Sequence, residues 1–330
     1  MSETTFRMND TPGSAGLHGP SCPSFPAATP LTCTVPKEFV HRAAVAEVLL
    51  TGWRRVDATH FTVTAQWPRL HGFYSAVQGR HDPLLTAETI RQAGALLSHA
   101  EFGVPLGHQF LMRDLSFTVD PRHLAVTGVP ADLELDIRCS DIRRRGSELA
   151  SMRYEAVLHR DGQIVATGGA SFACASPAVY RRVRGERAGV KSSAHRPPMG
   201  PPVPPPDVGR AAASDVVLSP TDDAHAWRLR TDTTHPVLFD HPVDHIPGML
   251  LIEAARQAAL VTLGSGDHVL TSFTSSFDLF AELDLPCRVE AGILPEDFAG
   301  LSSVLVTGRQ GDAQVFSCVV NAPRDQGLPG

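Results

Sequence analysis

The chain has 330 residues, of which 42% are hydrophobic and 19% charged, and its formal net charge is -6. This is enough apolar material for one large or two ordinary domains, and the negative balance excludes a broad nucleic-acid-binding surface. The six cysteines are scattered with no Cys-x-x-Cys pair, which argues against a zinc site or disulfide framework and fits a reducing cytoplasm. The polar start and the lack of any apolar run of about 18 residues predict neither a signal peptide nor a membrane span.

Residues 1–35 are rich in Pro, Gly, Ser and Thr and read as a disordered tail. A first domain is expected over 36–175. Within it, HFTVTAQW alternates as a strand, with Phe61, Val63, Ala65 and Trp67 on one face. A helix follows from about Pro83 to Glu101, then four strand-like runs: FLMRDLSFTV, LELDIRCSDI, LASMRYEAVLHR and IVATGGASFACA. Asp161-Gly162 gives a hairpin signal between the last two. Residues 176–212 begin basic and continue into HRPPMGPPVPPPDVG, a composition that predicts a stiff, solvated linker. A second domain is expected over 213–323: an opening strand AWRLRTD, a helix from Pro247 to about Gly264, then strands VLTSFTSSFDLF, CRVEAGIL, SSVLVTGR and AQVFSCVVNA. Residues 324–330 form a tail.

Each half thus reads as strand, one long helix and an antiparallel meander. Both helices are apolar on more than one stripe and must be covered on most sides. A curved sheet wrapped around a single helix meets that need, so the fold class is α+β, two tandem hotdog domains forming an intrachain pseudo-dimer joined edge to edge. The helices also share a polar set in the same register. Glu88, Arg91 and Gln92 in the first recur as Glu253, Arg256 and Gln257 in the second, an offset of 165 residues (253 minus 88). Charged groups on a core helix are costly to bury without a partner or purpose, and their duplication marks a repeated unit and a candidate site.

Several long segments resemble the A-factor biosynthesis (AfsA) family of γ-butyrolactone autoregulator synthases. They are VHRAAVAEVLLTGWRR, GRHDPLLTAETIRQAG and HAEFGVPLGHQFLMRDLSF in the first half, and HPVLFDHPVDHIPGMLLIEAARQAA in the second. The resemblance implies a double hotdog that transfers a β-ketoacyl group from acyl carrier protein (or coenzyme A) to the hydroxyl of dihydroxyacetone phosphate. The second helix is also similar to that of hotdog 3-hydroxyacyl dehydratases. Phe239 stands where those enzymes carry histidine, which argues against dehydration here.

Such a transfer needs a base, an oxyanion site and a grip on the phosphate. Glu88 and Glu253 are the candidate bases, since burial would raise their pKa toward a useful value. The competing expectation is a carboxylate neutralised by its own i+3 arginine. Arg256 and Arg91 are candidate phosphate ligands, with Arg256 preferred. Gln92 and Gln257 would orient the carboxylates, donate to substrate or make plain helix hydrogen bonds. Asp82-Pro83 predicts a capped start for the first helix. Ile246 cannot cap the second, which leaves amides near Gly248 to bind the thioester oxygen. His245 is a candidate substrate contact. His241 and His245 would suit a metal only on a helix, which Pro242 and Pro247 oppose. Arg143, Arg144 and Arg145 read as a solvated turn or a docking point for an acidic carrier protein. No nucleotide-cofactor or serine-hydrolase motif is present. Neither cofactor nor metal is expected, and oligomeric state is open between monomer and homodimer. Two other readings stand beside the synthase: a hotdog dehydratase or thioesterase, and a non-catalytic regulator that binds an acyl signal.

Overall fold

The computed structural model describes residues 31–188, 197–264, 268–295 and 300–323. Residues 1–30 of the expected 1–35 tail, part of the linker and the end of the chain lie outside them. The first half contains β1 (Leu50–Arg55), β2 (His60–Trp67), the central helix α1 (Leu84–Ala100), β3 (Gln109–Val119), β4 (Ala131–Arg145), β5 (Glu148–Arg160) and β6 (Gln163–Ala175). A short helix, α2 (Pro177–Arg184), follows. The second half repeats the series as β7 (Leu218–Pro220), β8 (Ala226–Leu229), the central helix α3 (Gly248–Leu263), β9 (Ser272–Phe277), β10 (Arg288–Ile293), β11 (Leu301–Gln310) and β12 (Ala313–Pro323). Both helices lie within a residue or two of their expected limits. Asp82 caps α1 as expected, its Oδ1 accepting the Leu84 N–H at 2.9 Å.

All strands join one antiparallel sheet in the order β1-β2-β4-β5-β6-β3-β9-β12-β11-β10-β8-β7. Read from either end the order is the same, element for element, as expected of two hotdog units joined at β3 and β9. There Leu115 pairs with Ser275 and Phe117 with Phe273. The two phenylalanine rings stack at 4.9 Å and 12°, a contact worth about 0.5–1.5 kcal/mol beyond its buried area. The sheet wraps both helices. Leu84, Leu85, Ile90, Leu96 and Leu97 of α1 are fully buried, as are Ala255, Ala258 and Ala259 of α3. Gly94 leaves room on α1 for Tyr154 of β5, whose hydroxyl donates to the Ile90 carbonyl at 2.8 Å.

Two expectations need correction. The first half opens with two strands: β1 buries only Leu50 fully and ends in three exposed residues, so it lacks the alternation by which a strand is recognised. The segment 176–212 is also no solvated linker where it is described. Arg184 is buried and ion-paired, Val203 and Val208 enter the core, and Arg210 lies inside the protein. At the other boundary, Val35 is buried and donates its N–H to Leu50.

Candidate active site

Each central helix carries its carboxylate inward into a clamp. In the first half, Arg91 donates to both oxygens of Glu88 at 2.9 and 2.7 Å, and Arg42 binds from the other side at 3.0 and 2.6 Å. Gln92 donates to Oε1 at 2.6 Å. In the second half, Arg256 and Arg210 hold Glu253 in the same way, at 2.7 to 3.0 Å, with Gln257 at 2.5 Å. The repeat extends outward. Gln92 also donates to the Glu47 carbonyl and accepts from Leu49, while Gln257 donates to Asp215 and accepts from Val217. Each outer arginine then reaches the opposite half, Arg42 to the Val237 carbonyl and Arg210 to that of Phe73.

This geometry corrects the expectation of raised carboxylate pKa values. Burial alone pushes Glu88 up, but the Arg42 and Arg91 guanidiniums outweigh it and bring the carboxyl down to about 2. Burial is outweighed in the same way at Glu253 by Arg210 and Arg256, again to about 2. A carboxylate that weakly basic, with both oxygens bound by guanidiniums, is a poor proton acceptor at neutral pH. The glutamines are likewise committed: both amide hydrogens of Gln92 and of Gln257 are donated within the protein, so neither side chain has one left for substrate. The expectation of an i+3 neutralised carboxylate fits, with a second arginine that was not foreseen.

Arg42 and Arg210 had a legible signal. Val40-His41-Arg42-Ala43-Ala44 recurs as Val208-Gly209-Arg210-Ala211-Ala212, but the second copy abuts the proline run and was assigned to the linker. His41 and Gly209 share a left-handed conformation, φ 53° and 62°. Glycine adopts it freely, whereas histidine is held there under strain. The His41 ring stacks on Phe110 at 4.8 Å, and its Nε2 lies 2.8 Å from Nε2 of His99. Burial, then the charges of Arg91, His99 and His241, lower its pKa to about 3.

The helix starts differ as expected. No side chain caps α3, and Gly248 opens it with Phe277 packed close by. Three residues earlier, His245 Nδ1 lies 2.8 Å from Asp244 Oδ1, which also accepts from the Tyr180 hydroxyl at 2.6 Å. Burial raises the Asp244 carboxyl, but these bonds and Arg184 hold it well below the usual range. Arg184 fixes the arrangement by donating to Glu282 and to the Asp244 carbonyl. Asp244, Tyr180 and Arg184 were not anticipated, because α2 was taken for linker. His241 is exposed beside Asp240, whose carboxylate accepts the Ala43 and Ala44 N–H groups. His71 and His235 have matched structural roles, each accepting two backbone N–H groups at Nδ1.

The candidate residues do not form one site. Arg256 lines a cleft at the start of α1, with His81, Asp82 and Pro83. Arg91 lies near His41 and the loop that leads into α3. Of the four clamp arginines it is the most accessible, with 20% of its side chain exposed against 7% for Arg42, 5% for Arg256 and 0% for Arg210. Arg143, Arg144 and Arg145 are exposed at the β4–β5 turn. Among the described residues no group of three or more His, Cys, Asp or Glu is placed to hold a metal ion, and no helix is long and apolar enough to cross a membrane.

The A-factor biosynthesis hotdog domain matches residues 24–176 and 192–321. The chain belongs to this family. It is 55% identical to the 2-oxo-3-(phosphooxy)propyl 3-oxoalkanoate synthase of Streptomyces virginiae, over 88% of this chain and 98% of that protein. It is 42% identical to the synthase of the same name from Streptomyces coelicolor, over 89% of this chain and 93% of the relative. Among solved structures, an acyl-ACP thioesterase from Bacteroides thetaiotaomicron is similar at a TM-score of 0.48 and 12% identity, covering 79% of this chain and 97% of that one. The 12:0-ACP thioesterase from Umbellularia californica has a TM-score of 0.45 at 10% identity, covering 79% and 93%.

Proposed function

We propose that this A-factor-family enzyme transfers a 3-oxoacyl group from a thioester, on acyl carrier protein or coenzyme A, to the hydroxyl of dihydroxyacetone phosphate. The product is a 2-oxo-3-(phosphooxy)propyl 3-oxoalkanoate, the compound for which its relatives are named. The observation that carries the catalytic assignment is the Asp244–His245 pair beside the uncapped start of α3. With Nδ1 directed to Asp244, the imidazole has Nε2 available as a base. It takes the proton of the acceptor hydroxyl as the oxygen attacks the thioester carbonyl. The Gly248 and Met249 N–H groups, which no helical carbonyl can satisfy, stabilise the oxyanion. Collapse expels the thiolate, and the proton returns to it from His245.

Arg91, with His41 beside it, is the contact for the acceptor phosphate in this reading, and Glu88 and Glu253 hold the framework. Arg143, Arg144 and Arg145 form the docking point for an acidic carrier protein. The enzyme acts in the cytoplasm, and since the two hotdog units already pair within one chain, a monomer suffices.

The test is incubation of the purified protein with a 3-oxoacyl thioester and dihydroxyacetone phosphate, followed by mass spectrometry. A phosphorylated ester or its cyclised butenolide is expected, and His245→Gln should lower kcat by about 100- to 10,000-fold, the usual contribution of a general base. Release of free 3-oxo acid without acceptor ester would sink the transferase reading. An unimpaired His245→Gln variant would sink only the catalytic assignment.

A further inference from the structure

The cleft at the start of α1 lies at the pseudo-symmetric counterpart of the proposed reaction centre. The offset that relates Glu88 to Glu253 also relates Arg80 to His245, His81 to Ile246 and Asp82 to Pro247. The backbone confirms the register, since His81 N–H donates to Leu124 and Ile246 N–H to Ala281, both at 2.8 Å. A permanent cation therefore stands where the other half carries its imidazole base.

The cleft has a volume of about 30 Å³ and is partly open to solvent. Its polar lining carries two guanidiniums, those of Arg80 and Arg256. Among the described residues the Arg80 guanidinium has no hydrogen-bond or ion-pair partner. Arg256 spends Nε and Nη2 on Glu253 and Val208, and Nη1 makes no further bond among the described residues. His268 faces the same space. Asp82 also lines it, but its carboxylate is engaged by the Arg210 guanidinium and the Leu84 N–H. The most telling group is His81: its side chain is buried, yet Nε2 has no hydrogen-bond partner. A buried imidazole nitrogen left unsatisfied is costly, and an oxygen-rich ligand in the cleft would satisfy it. Burial, then the charge of Arg160, lowers the His81 pKa to about 4, so at neutral pH the ring is uncharged and able to donate one hydrogen bond. Leu270 and Phe273 add apolar surface to the lining.

We propose that this cleft is a binding site for a small phosphate monoester, separate from the reaction centre at α3. Arg80 supplies the charge that is not already paired, Arg256 Nη1 and His81 Nε2 each donate to a phosphate oxygen, and Leu270 and Phe273 receive the carbon skeleton. Guanidiniums bind phosphate bidentately and charge-assisted, and a monoester presents the extra charge and oxygens that a diester such as the phosphopantetheine linkage lacks.

Glycerol 3-phosphate is the probe, titrated calorimetrically into wild type, Arg80→Gln and Arg91→Gln, with glycerophosphocholine as the diester control. Arg80 is half-buried and its side chain makes no bond among the described residues, so Gln in its place, which keeps the backbone bonds to Val77, should leave the melting temperature unchanged. Two saturable binding events of the monoester are expected in wild type; one is weakened at least tenfold in Arg80→Gln and is kept in Arg91→Gln, which loses the acceptor site, with little binding of the diester. Acyl transfer by Arg80→Gln should keep its wild-type kcat and acceptor KM. Equal binding by Arg80→Gln and wild type, no saturation at millimolar probe, or preference for the diester would each overturn the site. Loss of acyl transfer in Arg80→Gln would overturn its separation from the reaction centre. Failure of the transferase reading would appear instead as absence of acyl ester in the wild type, with monoester binding intact.

Discussion

Glu253 shows how much depends on the partners of one side chain. Removing its charge leaves the buried Arg256 without a carboxylate and Arg210 with Asp82 alone, and breaking such a cluster typically costs about 3–5 kcal/mol. Glu253→Gln should therefore lower stability by that order in denaturant melts, more than it lowers kcat of the protein that remains folded. A variant of full stability and abolished turnover would return the residue to chemistry. The pH dependence has a fixed sign. Because the folded-state pKa is depressed from 4.5 to about 2 at both Glu88 and Glu253, their contribution is complete above the unfolded value and is lost as pH falls from about 4.5 towards 2. Acid titration of stability should show that loss, and Glu253→Gln should blunt it. His41 is the converse case, a residue under backbone strain where its counterpart Gly209 is relaxed. His41→Gly should leave the fold at least as stable while raising the KM for the acceptor phosphate. An unchanged KM would remove His41 from the site.

At the scale of elements, both central helices and ten of the twelve strands among the described residues were legible, because apolar coverage and period-two alternation are strong wherever a segment packs on one face. Strands β1 and β7 escaped, the first for its exposed end, the second for its three residues. The duplicated Glu, Arg and Gln correctly announced a repeat, and the capping contrast between α1 and α3 was also legible. The role of the carboxylates was not: a helix sequence reveals its own i+3 partner but not an arginine 43 or 46 residues upstream. The Asp244–His245–Tyr180 cluster was hidden for a similar reason, since it depends on how α2 folds back. Close packing sets a sharper test. A methyl group on Gly94 would come within 2.5 Å of the Tyr154 hydroxyl, so Gly94→Ala should cost about 1–3 kcal/mol through overpacking, against a gain of under about 1 from helix propensity. A more stable variant would show that Tyr154 can yield its place.

For the whole molecule, the joint between β3 and β9 and the crossed arginines make each half part of the other's framework. Fragments 31–188 and 197–323, co-expressed, should therefore elute as a single particle in size-exclusion chromatography. The shorter second fragment 213–323 lacks Val208 and Arg210, leaves Glu253 with one guanidinium, and should be insoluble or fail to associate. Independent folding of 213–323 would contradict the framework role of the preceding segment.

Joining the two units in one chain also changes what heredity can do with them. In a homodimer every substitution appears twice, once on each side of the axis, so a change that improves one helix start is imposed on the other. Here Asp82 and Pro247, Arg80 and His245, and His41 and Gly209 are separate letters of one gene. The clamps are alike because both halves need them to fold, while the helix starts are free to differ. With both units in one chain, a surface that a homodimer would write twice becomes two that can specialise apart.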